Sequence, residues 1–563
     1  MRILQLDVNR IEYEPIEPES KVYESGSEKS NSVDDALVLF VAIENGDNEA
    51  DASKAIKEAV EFTGKLKRGN MVIYPFAHLS SNLEEPQRAM NLFHYMVKEA
   101  EKSGLKVSHA PFGWNKSLKL DVKGHPLAEM SRYYGMGAKV VQKAKKHTYD
   151  TSLAKKSDWS GLPDGDHRTI AERQNLFSFQ EVSQGMVYWH PNGYILYDQL
   201  MRFIRDKLDE YGYQMVATPI MANTALWHIS GHIDHYRENM FVFDANGQEV
   251  GLKPMNCPFA MLLFKARKWS YRDLPLRLAD FDKLYRNEIS GALSGLFRVR
   301  ELTQDDAHIF MRDDQVEDEI NTMLRFVNEM YGIFKLEYKA KLSTMPDSHM
   351  GDEATWEKAT NDLIQAMKAN NIKYEVKEKE GAFYGPKIDI DVKDSLGREW
   401  QCATIQLDYQ LPQRFDLSYT GEDGKEHMPI VLHRVVYGSL ERFLAILIEH
   451  LQGKFPTWLA PTQVRVLPIS DKANAYAEEV SKRLKEQHVR VELDSSNKTL
   501  QYKIRDGQTQ QIPYMVILGE KEAESQMISV RSRSGKQKMG IRLEEFVASL
   551  KEEIGSRRGE LML

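Results

Sequence analysis

Four long segments in the middle of the chain are rich in the β-branched and aromatic residues that suit strands: LRLADFDKLYRNE (276–288), LFRVRELTQDDAHIF (296–310), YGPKIDIDVKD (384–394) and EWQCATIQLDY (399–409). Joined by short polar loops, segments of this length predict an antiparallel sheet with helices to one side. A helix-like run, LYDQLMRFIRDKLDEYG, and the segment MVATPIM come before them, so residues 181–460 read as one large unit.

The remainder divides around that unit. At 563 residues the chain is too long for one core, and three or four domains are expected. Residues 1–142 alternate strand-like ALVLFVAIE, NMVIYPF and LKVSHAPF with helix-like DASKAIKEAVEFTGKL and EEPQRAMNLFHYMVKEAEKSG, the last stopping at Gly104. This predicts a compact α/β unit. Residues 143–180 are Lys-, Ser-, Asp- and Gly-rich around DWSGLPDGDH, the composition of a connector with turns. Trp458-Leu459-Ala460-Pro461 marks a hinge, and strands alternating with helices over 461–563 predict a small α/β domain with a mainly parallel sheet.

Composition excludes several classes. Hydrophobic residues make up 42% and charged residues 28%, and no stretch reaches the ~18–20 uncharged apolar residues of a membrane helix. The opening MRILQLDVNRIEYEP alternates and turns acidic within a few residues, unlike a signal peptide. Two distant cysteines, Cys257 and Cys402, exclude a disulfide framework and suit a reducing compartment, so a cytoplasmic protein without membrane attachment is expected. The net charge of −8 argues against a basic coat for nucleic acid, although local patches decide RNA binding. Two such patches stand out, Lys143, Lys145, Lys146, Lys155 and Lys156, and Arg531, Arg533, Lys536 and Lys538; each also suits an ordinary solvated surface.

Cys257 lies in KPMNCP, where flanking prolines bend the backbone, His308 in TQDDAHIF and His433 in IVLHRVVYGS. Taken singly, a buried cysteine packs and a strand histidine makes one hydrogen bond. The spacing is no local finger pattern, so it does not bring the three together. Arg286 and Glu288 lie in LYRNE before a Gly-Ser loop, Arg298 and Arg300 in FRVR, and Arg442 in GSLERF at the entry to an apolar helix. Arginines grip phosphates through planar bidentate contacts; singly, each suits a surface ion pair equally well.

Taken in order, RNE, a polar loop, RVRELTQDDAHIF, GAFYGPKIDI and GSLERF resemble the signature motifs of class II aminoacyl-tRNA synthetases. KPMNCP, TQDDAHIF, YGPKI and FPTWLAP resemble the threonyl-tRNA synthetase family in particular, over about residue 165 to the C-terminus. The resemblance implies that Cys257, His308 and His433 hold one zinc ion per subunit. It implies that Arg286 holds the amino-acid carboxylate and α-phosphate, that Arg442 packs over adenine, and that Arg298 and Glu288 belong to the ATP site. Tyr384 and Asp306 match residues on the threonine amino and hydroxyl groups, Gln304 and Gln406 the walls of that pocket, and His232 a histidine of the transfer step. Leu302 departs from the family, where an aromatic residue commonly stacks on adenine; apolar contact there implies a modest change in ATP binding. The family also implies ATP with magnesium as substrate, tRNA(Thr) as partner, and a homodimer pairing through GMVYWHPNGY…MVATPIM.

Three ligands leave zinc an open position, which the amino and hydroxyl groups of threonine can fill. Valine lacks the hydroxyl and is rejected by a factor of about 10⁴–10⁵, whereas serine lacks only a methyl, worth ~1–3 kcal/mol. A hydrolytic check is therefore expected. YPFAHLSS, APFGWNKSLKL and KGHPLAE resemble the archaeal editing domain of this family, similar in fold to D-aminoacyl-tRNA deacylases, over about residues 1–140. His78, Lys116 and Glu129 match its pocket, with His125 close to the last; Asn115 departs from the aromatic residue expected there. The C-terminal unit resembles the shared anticodon-binding domain, with Asn497, Arg505, Glu522 and Arg531 matching anticodon contacts. Gln510 and Gln511 stand where relatives often carry arginines, which implies fewer phosphate contacts. A synthetase for proline, histidine or glycine is disfavoured by the Cys257, His308, His433 set, and a non-catalytic paralogue by the presence of Arg286, Glu288 and Arg442.

Overall fold

Alternate residues of one N-terminal strand, Asn31–Ala42, supply two cores, because successive side chains of a strand point to opposite faces. Leu37, Leu39 and Val41 pack beneath the helices Glu49–Lys65 and Pro86–Glu101, while Val38 and Phe40 pack with Val8, Ile11 and Tyr13 on the opposite face. These observations come from a computed structural model that describes residues 1–25, 30–80, 82–134, 155–394, 397–557, 559 and 561. The basic residues Lys143, Lys145 and Lys146 lie outside the described residues, as does the 142/143 boundary.

The chain forms two compact units, Met1–Asp150 and Thr151–Leu563. In the first, the sheet runs Lys106–His109, Asn70–Pro75, Asn31–Ala42, Arg2–Pro18 and Trp114–Val122, with Glu129–Tyr133 also paired to Arg2–Pro18. The three neighbours from Lys106–His109 to Asn31–Ala42 are parallel and joined by the two helices; Arg2–Pro18 runs antiparallel to its neighbours. The first helix starts at a capping box, Asn48 Oδ1 accepting from the amides of Ala50 and Asp51 at 3.0 and 3.2 Å.

The second unit is built on an eight-stranded sheet. Its order is Tyr374–Lys377, Tyr338–Ser343, Lys387–Lys393, Glu399–Asp408, Ile430–Val435, Asp306–Met311, Leu276–Asp280 and Gln214–Val216. The five central ladders are antiparallel and the two outermost parallel. Helix Leu440–Leu451 is buried along most of its length against the sheet. Among the described residues no helix is long and apolar enough to cross a membrane.

Two of the four long segments are broken. LRLADFDKLYRNE divides into Leu276–Asp280, in the main sheet, and Lys283–Tyr285, which pairs with Glu301–Thr303 in a separate two-stranded ladder. At the break, Asp282 accepts hydrogen bonds from the Thr218 amide (2.7 Å) and from Lys253 Nζ (2.7 Å), an ammonium with no solvent exposure. Lys253 opens KPMNCP, and its carbonyl accepts from the Tyr285 amide at 2.9 Å. One ion pair, with its ammonium buried and its carboxylate partly exposed, thus joins three distant pieces of chain. Within the stretch 143–180, His167–Gln174 is a helix, and its Ile170 and Ala171 belong to the main core with Leu176 and Phe177.

The C-terminal lobe has the sheet order Val491–Leu493, Val464–Pro468, Tyr514–Leu518, Ile528–Ser532 and Gln537–Ile541. Two ladders are parallel and two antiparallel, so the sheet is mixed rather than mainly parallel. The difference is the closing hairpin: a turn with Gly535 at φ +92° adds Gln537–Ile541, a strand whose polar sequence QKMGI carries little strand signal.

Asp282→Ala strands the buried Lys253 ammonium and is expected to cost about 3–5 kcal/mol, read from urea unfolding followed by tryptophan fluorescence. Burial would raise the Asp282 carboxyl, but Lys253 and Thr218 outweigh it and hold it below the ordinary range. Its contribution is then complete above the unfolded-chain pKa and is lost as pH falls through the lower native value. The gap between wild type and variant should hold steady near neutrality and narrow below about pH 4.

Candidate active site

His308 and His433 stand directly opposite each other on adjacent strands, and Gln406 pairs with His433 from the other side. Cys257 begins the helix Cys257–Lys265, which KPMNCP delivers to the same place. The Cys257 sulfur and one ring nitrogen from each histidine lie within 4.8 Å of one another, and all three residues are buried. His308 Nε2 and His433 Nδ1 are buried without hydrogen-bond partners among the described residues, as nitrogens reserved for a metal would be. His433 Nε2 is engaged instead by Asp408 Oδ2 at 2.8 Å, the carboxylate–histidine arrangement that orients a metal ligand. Burial drives the His308 ring well below its ordinary pKa and keeps it neutral. Burial also disfavours a charged His433, yet the Cys257 sulfur and Asp408 prevail and lift it to about 10. Concentrated negative charge around that ring favours a cation. A thiol with two imidazoles is a donor set suited to zinc.

A cavity of about 280 Å³ opens on this cluster. Tyr384, Asp306, Gln304 and Gln406 line it beside Cys257 and His433, and Arg286, Glu288, Arg298, Leu302 and Arg442 line the remainder. Tyr384 Oη lies 3.9 Å from the Cys257 sulfur. Asp306 accepts from Asn256 Nδ2 at 3.2 Å, and burial raises its carboxyl despite His433 and Asn256. Directly across the ladder, burial and then Asp306 push Asp280 up to about 7. Arg442 donates Nε to the Phe297 carbonyl (3.0 Å) and Nη1 to the Gln401 carbonyl (2.9 Å), with its guanidinium 5.5 Å from the Trp400 ring centroid. Burial lowers its pKa, and the nearby Arg286 and Arg298 lower it further. Three guanidiniums that repel one another in one cavity form a seat for a polyanion.

The local sequence explains the placement. Gly438 sits at φ +75° where a Cβ would collide with the Cys402 carbonyl, so a glycine lets GSLERF turn beneath the sheet. Ser439 then caps the helix, accepting from the Arg442 amide at 3.3 Å. Buried Glu441 accepts from the Thr303 amide at 3.1 and 3.0 Å, tying the helix start to the ladder that carries Arg286. His232 lies outside the cavity lining; it is buried beside Tyr384 (ring centroids 6.5 Å), hydrogen-bonded to Ser230 Oγ at 2.8 Å, and burial pushes it down to about 3. Lys387 and Gln401 also line the cavity and were not singled out from sequence. Lys387 sits three residues after Tyr384 in YGPKI, and the alternation in KIDIDV marked its face. Phe297 and Trp400 stack at 4.3 Å with 11° between their planes, a contact between residues 103 positions apart that periodicity does not reveal.

In the first unit a second cavity, of about 390 Å³, is lined by His78, Asn115 and Lys116 with Tyr74, Phe112 and Trp114. Lys116 Nζ donates to the carbonyls of Trp114 (2.6 Å) and Pro111 (3.0 Å), and burial brings its pKa down to about 8. His125 and Glu129 are not in that lining. His125 Nε2 meets Asp7 Oδ2 at 2.8 Å, and Glu129 is exposed on the strand paired with Leu6.

In the C-terminal lobe, Asn497 and Arg505 are exposed, and Arg531 Nε is buried without a partner among the described residues. Glu522 is engaged locally, accepting from the Gly519 amide (3.0 Å) and Ser529 Oγ (2.9 Å). Gln510 accepts from Arg465 Nη2 at 2.9 Å, inside a network with Glu492 and Asp506.

Comparison with known proteins agrees with this layout. Residues 236–451 match the class II tRNA synthetase core domain (G, H, P, S and T), residues 1–134 the archaea-specific editing domain of threonyl-tRNA synthetase, and residues 463–553 the anticodon binding domain. The chain is 49% identical over 450 residues to the threonine–tRNA ligase of Thermotoga petrophila, covering 78% of this chain and 70% of that one. It is 45% identical over 443 residues to that of Clostridium botulinum, covering 77% and 70%. Among solved structures, the RNA binding domain of threonyl-tRNA synthetase from Cryptosporidium parvum superposes with a TM-score of 0.68 at 42% identity, covering 70% of this chain and 99% of that one. By these matches the chain belongs to the threonine–tRNA ligase family of class II aminoacyl-tRNA synthetases.

Proposed function

We propose that this chain activates threonine with ATP on the cavity beside Cys257, His308 and His433, transfers it to tRNA(Thr), and hydrolyses mischarged seryl-tRNA in its N-terminal unit. The observation that carries the reading is the convergence of those three side chains, two of which, Cys257 and His433, line the cavity that Arg286 and Arg442 also line. A zinc ion held by the three residues supplies a Lewis-acidic seat for the amino and hydroxyl groups of threonine. Tyr384 and Asp306 then contact the same two groups, while Gln304 and Gln406 wall the pocket. Arg286 positions the carboxylate against the α-phosphate of ATP; Arg298 and Glu288 act on the phosphates and their magnesium. Arg442, fixed by two backbone carbonyls, offers its planar face to adenine. Carboxylate attack needs little beyond positioning and charge neutralisation, which these groups provide. His232, kept neutral by burial, acts at the transfer step.

The roles divide as editing in 1–142, a connector over 143–180 whose last turn packs with the catalytic core, catalysis in 181–460 and anticodon binding in 461–563. Asn497, Arg505, Glu522 and Arg531 contact the anticodon. His78 and Lys116 serve the editing cavity, with His125 and Glu129 acting from outside its lining. A homodimer is supported by Met215, Ile220 and Met221 of MVATPIM, large apolar residues left 41–49% exposed. The reading implies a cytoplasmic enzyme.

ATP–pyrophosphate exchange tests the first step. Exchange is expected with threonine, about 10–200-fold less with serine, and none with valine. Metal removal with a chelator, or Cys257→Ala, should abolish threonine exchange. Equal exchange with valine would refute the chelation account.

Lys116→Ala should leave exchange intact and slow seryl-tRNA hydrolysis on the order of 10²-fold. The ratio of wild-type to variant rates should fall as pH rises through about 8, where Lys116 loses its proton. Equal hydrolysis rates at neutral pH would remove Lys116 from the reaction.

A further inference from the structure

A second cluster of metal-ligating side chains lies in the first unit, apart from the residues lining the His78–Lys116 cavity. His94 comes from helix Pro86–Glu101, His109 ends strand Lys106–His109, and Glu24 lies in the segment after Arg2–Pro18. One donor atom from each lies within 4.8 Å of the others. The two rings address opposite oxygens of one carboxylate: His109 Nε2 is 3.0 Å from Glu24 Oε1, and His94 Nε2 is 3.6 Å from Glu24 Oε2.

The second distance exceeds a hydrogen bond. His94 Nε2 is shielded from solvent and has no hydrogen-bond partner among the described residues. A buried cluster elsewhere shows the contrast: in Asp166, His167 and Glu449, His167 uses both ring nitrogens, Nδ1 to Glu449 at 2.9 Å and Nε2 to the Leu296 amide at 3.1 Å. That histidine is satisfied structurally, whereas His94 points Nε2 toward Glu24 with no hydrogen-bond partner among the described residues.

We propose that Glu24, His94 and His109 bind a divalent cation of the zinc class, as a site separate from the cysteine-containing one. Ligands at about 2.0–2.2 Å from a tetrahedral ion stand roughly 3.3 Å apart, close to the separations around Glu24. The three side chains are 20–38% exposed, so an ion can enter and water can complete its shell. Its consequence is mechanical. The Glu24 amide donates to the Phe112 carbonyl (3.0 Å), Trp114 Nε1 donates to the Glu24 carbonyl (2.9 Å), and the Glu19 amide donates to the Gly113 carbonyl (2.9 Å). Glu19, Phe112 and Trp114 line the Lys116 cavity, so an ion at Glu24 clamps one of its walls to a helix and a strand.

The test strips the full-length chain with chelator and reloads it with Zn2+ or Co2+, counting bound equivalents by elemental analysis and titration calorimetry. Wild type should hold one equivalent more than His94→Ala/His109→Ala, with thiolate-to-cobalt absorption from Cys257 unchanged between them. Glu24→Gln keeps the side-chain size and should weaken that equivalent by at least about tenfold, a loss seen even for outer-shell partners. Equal equivalents and equal affinity in wild type and variants would overturn the site, leaving a histidine–glutamate ion pair. Should the double variant unfold, the Glu24→Gln comparison decides alone.

Discussion

The register between Asp306–Met311 and Ile430–Val435 is the constraint on which the catalytic centre rests. Their pairing sets His308 against His433, and the next strand sets Gln406 against His433. Alternation does the remainder: Ala307, Ile309, Ile405 and Leu432 enter the main core, so their neighbours His308, Gln406 and His433 must face the other way. A slip by one residue would exchange the two sets, burying imidazoles among aliphatics and exposing the core. The hydrophobic core therefore fixes the register, and the register delivers two of the three donor residues. The third arrives by a different device, because Cys257 lies on no strand. The KPMNCP turn is held at its first residue by the Lys253–Asp282 pair, and that pair also marks where the chain leaves the main sheet to carry Arg286.

The electrostatics of the cavity follow from these placements. One end gathers Asp306, Asp408 and the Cys257 sulfur near His433, and the last two outweigh burial to lift the pKa of that ring. The other end gathers Arg286, Arg298 and Arg442, and burial together with the first two lowers the pKa of Arg442. Neither arrangement is comfortable without a ligand, and the signs are opposite. A cation at one end and phosphates at the other relieve both. A site preorganised in this way pays its reorganisation cost during folding rather than during reaction.

Much of this was legible in the residue order, and the gaps have physical causes. The central sheet could be read because its strands are long and rich in β-branched residues. The separate ladder Lys283–Tyr285 with Glu301–Thr303 could not, because nothing in local propensity distinguishes one strand from two that part at Phe281-Asp282. The strand Gln537–Ile541 and the helix His167–Gln174 went unread for the opposite reason: their sequences are polar, and the strand is set by its ladder with Ile528–Ser532 and the helix by the packing of Ile170 and Ala171. Motif order pointed to Cys257, His308 and His433, whereas their convergence comes from the sheet register for the two histidines and from the KPMNCP turn for the cysteine. Lys387 was missed although its neighbour Tyr384 was found, since a lysine beside a carboxylate reads as an ordinary ion pair until a cavity is seen to include it.

Two cavities in one chain follow from a limit of the first. A centre that grips an amine and an alcohol together excludes an isostere lacking the alcohol, because the buried donors would be left unfilled. It has no comparable lever against serine, which offers the same two groups and differs by one methyl. A tighter pocket gains little, since the smaller molecule always fits. Discrimination must then be made where the extra methyl is a steric liability rather than a small bonus, in a separate cavity acting after transfer. The N-terminal unit has a cavity of its own, with a partly desolvated lysine whose ammonium is held by two backbone carbonyls. Those carbonyls belong to Pro111 and Trp114, the first just before and the second at the end of the Phe112–Trp114 stretch that Glu24 hydrogen-bonds, so the orientation of Lys116 depends on how firmly that wall is held.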